Sequence, residues 1–306
     1  PWDTQCFTYD VMGELVNAWT SKITPVDGQG CKASNGTTWG PRKDYAPSSG
    51  PVADAPDTST DVTAPDSSLR STLAATAPDP ATVSTGVTAY RQSFTFDWLG
   101  NRAAMTEHDH DTADATKNVT FTYGYGNAER KQPHTLGSVT SNPPGQGSSY
   151  RYDAVGNTKV RDLAATTQSL VWTQENKPAT ITDDGRKTTY VYDATGNRLL
   201  ENSPSGSTLY LGETEVTTDA TGAIVRASRA YAHPGAPTVV RTTSNGATTG
   251  HKRNVLLTDH LGTANTTIDV TNTTQPITRR AFKPYGEIRG PKPAAWPNKR
   301  SYLGVG

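Results

Sequence analysis

Aromatic residues alternate with polar ones in short bursts along the chain, and each burst runs into Asp-x-x-Gly. Tyr190-Val191-Tyr192 leads into Asp193-Ala194-Thr195-Gly196-Asn197, and Tyr150-Arg151-Tyr152 into Asp153-Ala154-Val155-Gly156-Asn157. Phe94-Thr95-Phe96 precedes Asp97-Trp98-Leu99-Gly100-Asn101, and Phe7-Thr8-Tyr9 precedes Asp10-Val11-Met12-Gly13. Trp172-Thr173-Gln174-Glu175-Asn176-Lys177 is a degenerate copy, twenty positions from both Tyr152 and Tyr192. Aromatics at i and i+2 share one face of an extended strand. The Asp that follows can accept backbone N–H groups of a turn, and Gly and Asn tolerate the positive φ that such a turn requires. A polar, Thr-rich strand comes next. Two strands of about six residues and two connections of about four come to about twenty. The pattern therefore predicts one β-hairpin per repeat, leaves no room for a helix, and describes an array.

Composition supports an extended β array. Hydrophobic residues are 33% of the 306, and mean hydropathy is −0.63, too polar for a large helical or α/β core. The 13 Tyr and 6 Trp outnumber the 5 Phe, so much of the apolar surface sits on rings with a polar tip. A disordered Thr/Pro-rich stalk has a similar composition, but disorder has no use for regularly spaced aromatics.

Charge and motifs narrow the function classes. Lys+Arg and Asp+Glu are both 29, and no basic cluster stands out, which argues against nucleic acid as a partner. No apolar run is long enough for a membrane span, no signal peptide opens the chain, and neither G-x-G-x-x-G nor a P-loop occurs. No cofactor is expected.

The Tyr-Asp-x-x-Gly-Asn units resemble the YD repeats of the RHS family, which includes polymorphic toxins, the cage component of insecticidal toxin complexes and the teneurins. Leu257-Thr258-Asp259-His260-Leu261-Gly262-Thr263 and Ala281-Phe282-Lys283-Pro284-Tyr285-Gly286-Glu287 resemble the opening of the RHS-associated core, and Tyr302-Leu303-Gly304 resembles its next step. The likeness covers residues 90–306 and 1–20, with little of the pattern in 21–89. It implies an all-β fold in which YD-repeat hairpins add edge to edge into a curved or spiralling antiparallel sheet, part of an RHS shell. It also implies a secreted or cell-surface protein whose partners are neighbouring repeat segments and an encapsulated toxin domain. In toxin members the core continues into an Asp-containing self-cleavage segment and a variable toxin domain. Gly306 precedes both, so no enzymatic activity is expected, and the abrupt ends read as those of a piece of a longer protein.

Punctuation divides the chain. Residues 1–45 hold one repeat unit, where Cys6 and Cys31 are either a disulfide or two isolated thiols. Residues 46–89 have no aromatic residue before Tyr90, five Asp, one basic residue (Arg70) and Pro at 47, 51, 56, 65, 78 and 80, and read as an exposed loop or insertion. Residues 90–212 carry the densest repeats, and 213–306 begin the core region.

Three sites invite chemistry. His108 and His110 in Glu107-His108-Asp109-His110-Asp111 would share a strand face and could begin a metal site, against the alternative of a solvated strand face. Asp259-His260 suggests an acid–base dyad, but neighbours on a strand point apart, and a turn shaped by Asp259 and Gly262 is the preferred reading. The Tyr/Trp ladder is either core, the preferred reading, or an outward platform for sugar rings of a cell-surface glycan. The functions compared are a structural shell segment, a glycan-binding module and a hydrolase or lyase using His/Asp clusters, with the shell preferred.

Overall fold

The computed structural model describes residues 3–10, 12–23, 31–32, 38–39, 77–111, 114–126, 132–244, 250–259 and 261–304. Among these, the regular elements are β-strands and three single-turn 3-10 pieces. Nineteen strands belong to one antiparallel sheet in which strands that follow one another along the chain pair, a meander. The chain divides into two compact units, residues 1–122 and 123–306.

In the first unit, Thr4–Tyr9 pairs with Leu15–Ser21 and then Leu15–Ser21 with Arg91–Phe96, with Trp19 opposite Arg91. Everything from 22 to 90 is thus an excursion between two neighbouring strands. Residues 40–76, most of the Pro-rich stretch, lie outside the described residues. Its last part differs from the exposed loop its composition suggests. Pro78, Thr82 and Val83 are buried, Val83 bridges to Ser21, and the Ser84 N–H donates to the Thr20 carbonyl at 2.7 Å. Val83 packs on Trp19, and the buried Thr82 hydroxyl donates to the Asp79 carbonyl at 2.8 Å, so the turn satisfies its own polar group. Cys6, Trp19 and Val83 form one cluster, against which Cys31 packs, and Ala18, Tyr90 and Phe94 form another. Since alternate residues point to opposite faces, the strand Leu15–Ser21 is covered on both sides.

In the second unit, ladders run from Leu136–Asn142 to Ile277–Arg279, and burial is sparse. Of residues 148–203 only Leu170 is buried. Tyr150, Tyr152, Trp172, Tyr190 and Tyr192 are half-buried rather than core. A ring with a polar tip can lie flat on its strand neighbours and still reach a carbonyl, so no second layer is needed to satisfy it. Covering layers appear toward the C-terminal end, where Val240, Leu256 and Ala264 form a cluster against which Trp296 packs.

Candidate functional site

The repeat turn is a five-residue loop closed twice by the backbone. In 193–197, the Asp193 N–H donates to the Asn197 carbonyl at 2.9 Å and the Gly196 N–H to the Asp193 carbonyl at 3.0 Å. One carboxylate oxygen of Asp193 accepts the N–H groups of Thr195 and Asn197, both at 2.9 Å, while the other accepts the Asn197 amide at 3.1 Å. Gly196 sits at φ 83°. Asp97 and Asp153 make the same contacts to Asn101 and Asn157, and Gly100 and Gly156 lie at φ 80° and 95°. Asp10 accepts from Met12 and Glu14. The Thr195 hydroxyl, then the Asn197 groups, hold the Asp193 carboxyl down to about 2. It is therefore an anion matched to converging donors.

The same closure recurs where the motif is degraded. Thr173 replaces the Asp in 173–177, its hydroxyl accepting from Glu175 and Lys177, and Asn176 takes the glycine position at φ 56°. Loops 219–223, 259–263 and 283–287 close identically. Loop 219–223 has no aromatic pair before it, and Asp-x-x-Gly spacing alone was the signal that marks it.

Successive repeats are joined by the last aromatic of each strand. The Trp172 indole donates to the Thr158 carbonyl at 2.8 Å, and the Tyr192 hydroxyl to the Pro178 carbonyl at 2.9 Å. Pro178 is itself the strand partner of Trp172. The Tyr152 hydroxyl reaches the Leu136 carbonyl at 2.8 Å, and the Asn157 amide reaches Asn176 of the next turn at 2.9 Å. The period of twenty is thus a physical linkage as well as a sequence spacing.

The later motifs converge in space. Asp259 accepts the N–H groups of Leu261 and Thr263, Gly262 lies at φ 81°, and His260 is outside the described residues. The fully buried Thr263 accepts the Leu303 N–H at 2.9 Å, and the Tyr302 hydroxyl donates to the Pro284 carbonyl at 2.6 Å. The Tyr302 ring lies directly on Gly286, where an added Cβ would come within 2.8 Å of it. Lys283 and Glu287 pair at 3.0 Å across their turn, and Tyr285 remains exposed. Burial, then the Asp259 carboxylate, raises the Tyr302 phenol.

The remaining candidates resolve differently. Cys6 and Cys31 are joined in a disulfide, with Cα atoms 5.6 Å apart. His108 is half-buried with both ring nitrogens engaged, one 2.8 Å from the Ser93 hydroxyl and the other 3.4 Å from the Asn118 amide nitrogen. The Asn118 carbonyl oxygen is held by the Asp109 N–H at 2.9 Å, which turns its NH₂ toward His108 Nδ1. That nitrogen must therefore accept and Nε2 carry the proton. Burial, then the Arg91 charge, lowers His108 to about 4. It is a neutral, hydrogen-bonded histidine rather than a solvated one. His110 lies 3.8 Å from Asp111, and no group of three metal-ligating side chains gathers among the described residues.

One site escapes sequence reading altogether. The segment from Gly290 to Ser301 folds across the strands 186–211, leaving a cleft of about 590 Å³ lined by Tyr190, Arg198, Glu201, Arg280, Lys292 and Lys299 among others. Its Pro-rich run, with Pro at 291, 293 and 297, reads as a loop, and nothing local says which face it crosses.

No protein-family model and no curated protein matches the chain. Among solved structures it is similar to the crystal structure of TcdB2-TccC3, at a TM-score of 0.49 and 12% identity over 98% of this chain and 15% of that one. It is similar as well to the crystal structure of TcdB2-TccC3-Cdc42, at 0.46 and 12% over 98% of this chain and 18% of that one. The chain spans less than a fifth of the length of either.

Proposed function

We propose that this chain is structural, a stretch of β-array wall of the RHS type. The observation that carries the reading is the inter-repeat bond, Trp172 to Thr158 and Tyr192 to Pro178, repeated at the period of the hairpins. Each unit closes its own turn and fastens itself to the unit before, so the array grows by nearest-neighbour contacts and needs no common core. The resemblance of residues 90–306 to RHS proteins extends the reading to a shell around a toxin domain, acting outside the cell, with neighbouring repeats as its immediate partners and no catalysis of its own.

Two measurements test it. Deleting residues 173–192 removes one whole unit and joins Trp172 to Asp193, recreating the aromatic–Asp junction. A β-type circular dichroism spectrum with cooperative melting is expected, and loss of folding would count against a modular wall. Electron microscopy of the natural gene product containing these residues should place them in the wall of a hollow body. A free-standing lobe would overturn the reading.

A further inference from the structure

We propose that the cleft under the 290–301 segment binds a sugar ring bearing a carboxylate. This goes beyond the structural role and does not rest on it. The floor is a row across three paired strands, with Tyr190 opposite Glu201 and Glu201 opposite Thr208. Above it, the Lys299 ammonium bonds Glu201 at 3.3 Å and Thr208 at 3.0 Å. Arg198 pairs with the other Glu201 oxygen at 3.3 Å, with its guanidinium 5.3 and 5.6 Å from the ring centres of Tyr190 and Tyr210. The Tyr210 hydroxyl donates to that oxygen too, at 3.1 Å. Glu201 is thereby saturated.

Two cations of the cleft have no carboxylate partner among the described residues. Arg280 donates to the Ala264 and Arg300 carbonyls, both at 2.8 Å, and stacks on Trp296 at 3.9 Å from its ring centre. Lys292 is exposed and makes no ion pair among the described residues. Four cationic side chains around one carboxylate, on a chain whose formal charge is zero, make a local excess that an anion would neutralise.

An anion alone leaves other groups unmatched. The buried Asn298 side-chain oxygen and the buried Trp296 indole nitrogen have no hydrogen-bond partner. The wall also carries Ile288, Pro293 and the Ser301 hydroxyl. A carboxylate answers the cations, ring hydroxyls answer Asn298 and Ser301, and ring C–H faces answer the apolar wall. The volume lies within the roughly 300–1,000 Å³ of small-molecule sites.

The test is calorimetric titration of the full chain at low salt with glucuronic acid, glucose, inorganic sulfate and a short Asp/Glu peptide. Glucuronic acid should bind, the other three should bind at least about tenfold more weakly, and Lys292→Gln should weaken glucuronic acid by about tenfold, the loss of one charge-assisted contact. Added NaCl should weaken binding further. Lys292 is exposed, so the variant keeps the fold, which circular dichroism checks. A perturbed Trp296 indole resonance, assigned with Trp296→Phe, places the ligand in the cleft. Equal binding of sulfate, tighter binding of the peptide, no binding of glucuronic acid, or an unaffected Lys292→Gln variant would each overturn the proposal.

Discussion

The strand Leu15–Ser21 buries five consecutive residues, whereas Pro178–Asp183 buries none. Both take part in antiparallel hairpins closed by the same turn. The first is enclosed by the returning excursion around Pro78–Val83 on one face and by Tyr90 and Phe94 on the other. The second has its ladder partners, its turn and, at Pro178, the bond from the Tyr192 hydroxyl. A hairpin array thus persists by two different means, by ordinary core burial where a second layer exists, and by local closure plus neighbour linkage where none does. Burial concentrates stability in a few side chains, and linkage spreads it over many.

The largest effect should come from attacking the core of the first unit. Trp19→Ala removes a fully buried ring and should destabilise that unit by about 3–5 kcal/mol, while Tyr152→Ala in the open array should lose only about 1–2 kcal/mol. Denaturant melts of the two variants decide this, and equal losses would erase the distinction. Next is the disulfide. Cys31→Ser opens a crosslink spanning 25 residues and should lower stability by about 3 kcal/mol in the first unit alone, read as a shift of one unfolding transition.

The same comparison extends to the turns. Gly286→Ala meets both a φ of 91° and the Tyr302 ring, and should lose about 1–3 kcal/mol. At Gly156, also at positive φ but open around its Cβ position, the same change should lose only the conformational part, about 1 kcal/mol. If the two lose equally, the contact with Tyr302 is immaterial. Tyr192→Phe deletes a single inter-repeat hydrogen bond and should lower stability by about 1 kcal/mol.

The smallest effect is pH-dependent and confined to the first unit, and it is small because a half-exposed ring is partly screened by solvent. His108 is lowered from 6.5 to about 4, so between those values the unfolded chain binds more protons than the folded one. Its contribution is complete above pH 6.5 and fades as pH falls toward 4. His108→Gln should flatten that part of the stability profile, and an unchanged slope would mean that the proton sits elsewhere.

Much of this was readable in advance, and the reason is range. The Asp97, Asp153 and Asp193 turns are closed within five residues, so their chemistry is spelled out by neighbours in sequence. Thr173-Gln174-Glu175-Asn176 could be recognised only by its position, since its closure is made by the backbone and tolerates a hydroxyl for a carboxylate. The reading of Tyr150, Tyr152, Tyr190 and Tyr192 as core was less successful. Alternation says that they share a face and does not say whether anything lies over it. His108 showed the same limit, because Ser93 and Asn118 reach it from other elements.

What the amino-acid sequence determined by itself was the repeat, with hairpins of twenty residues, turns with an anionic cap and a positive-φ position, and antiparallel strands paired in chain order. All of that follows from alternation along a strand and from hydrogen bonds between residues a few positions apart. Only the tertiary structure decided which faces are covered. It folded Val83 onto Trp19, brought Tyr302 onto Gly286, and laid the 290–301 segment across the row of Tyr190, Glu201 and Thr208. Those contacts join residues from 16 to 98 positions apart in the sequence. They depend on where the meander carries each strand, and no local pattern encodes that placement.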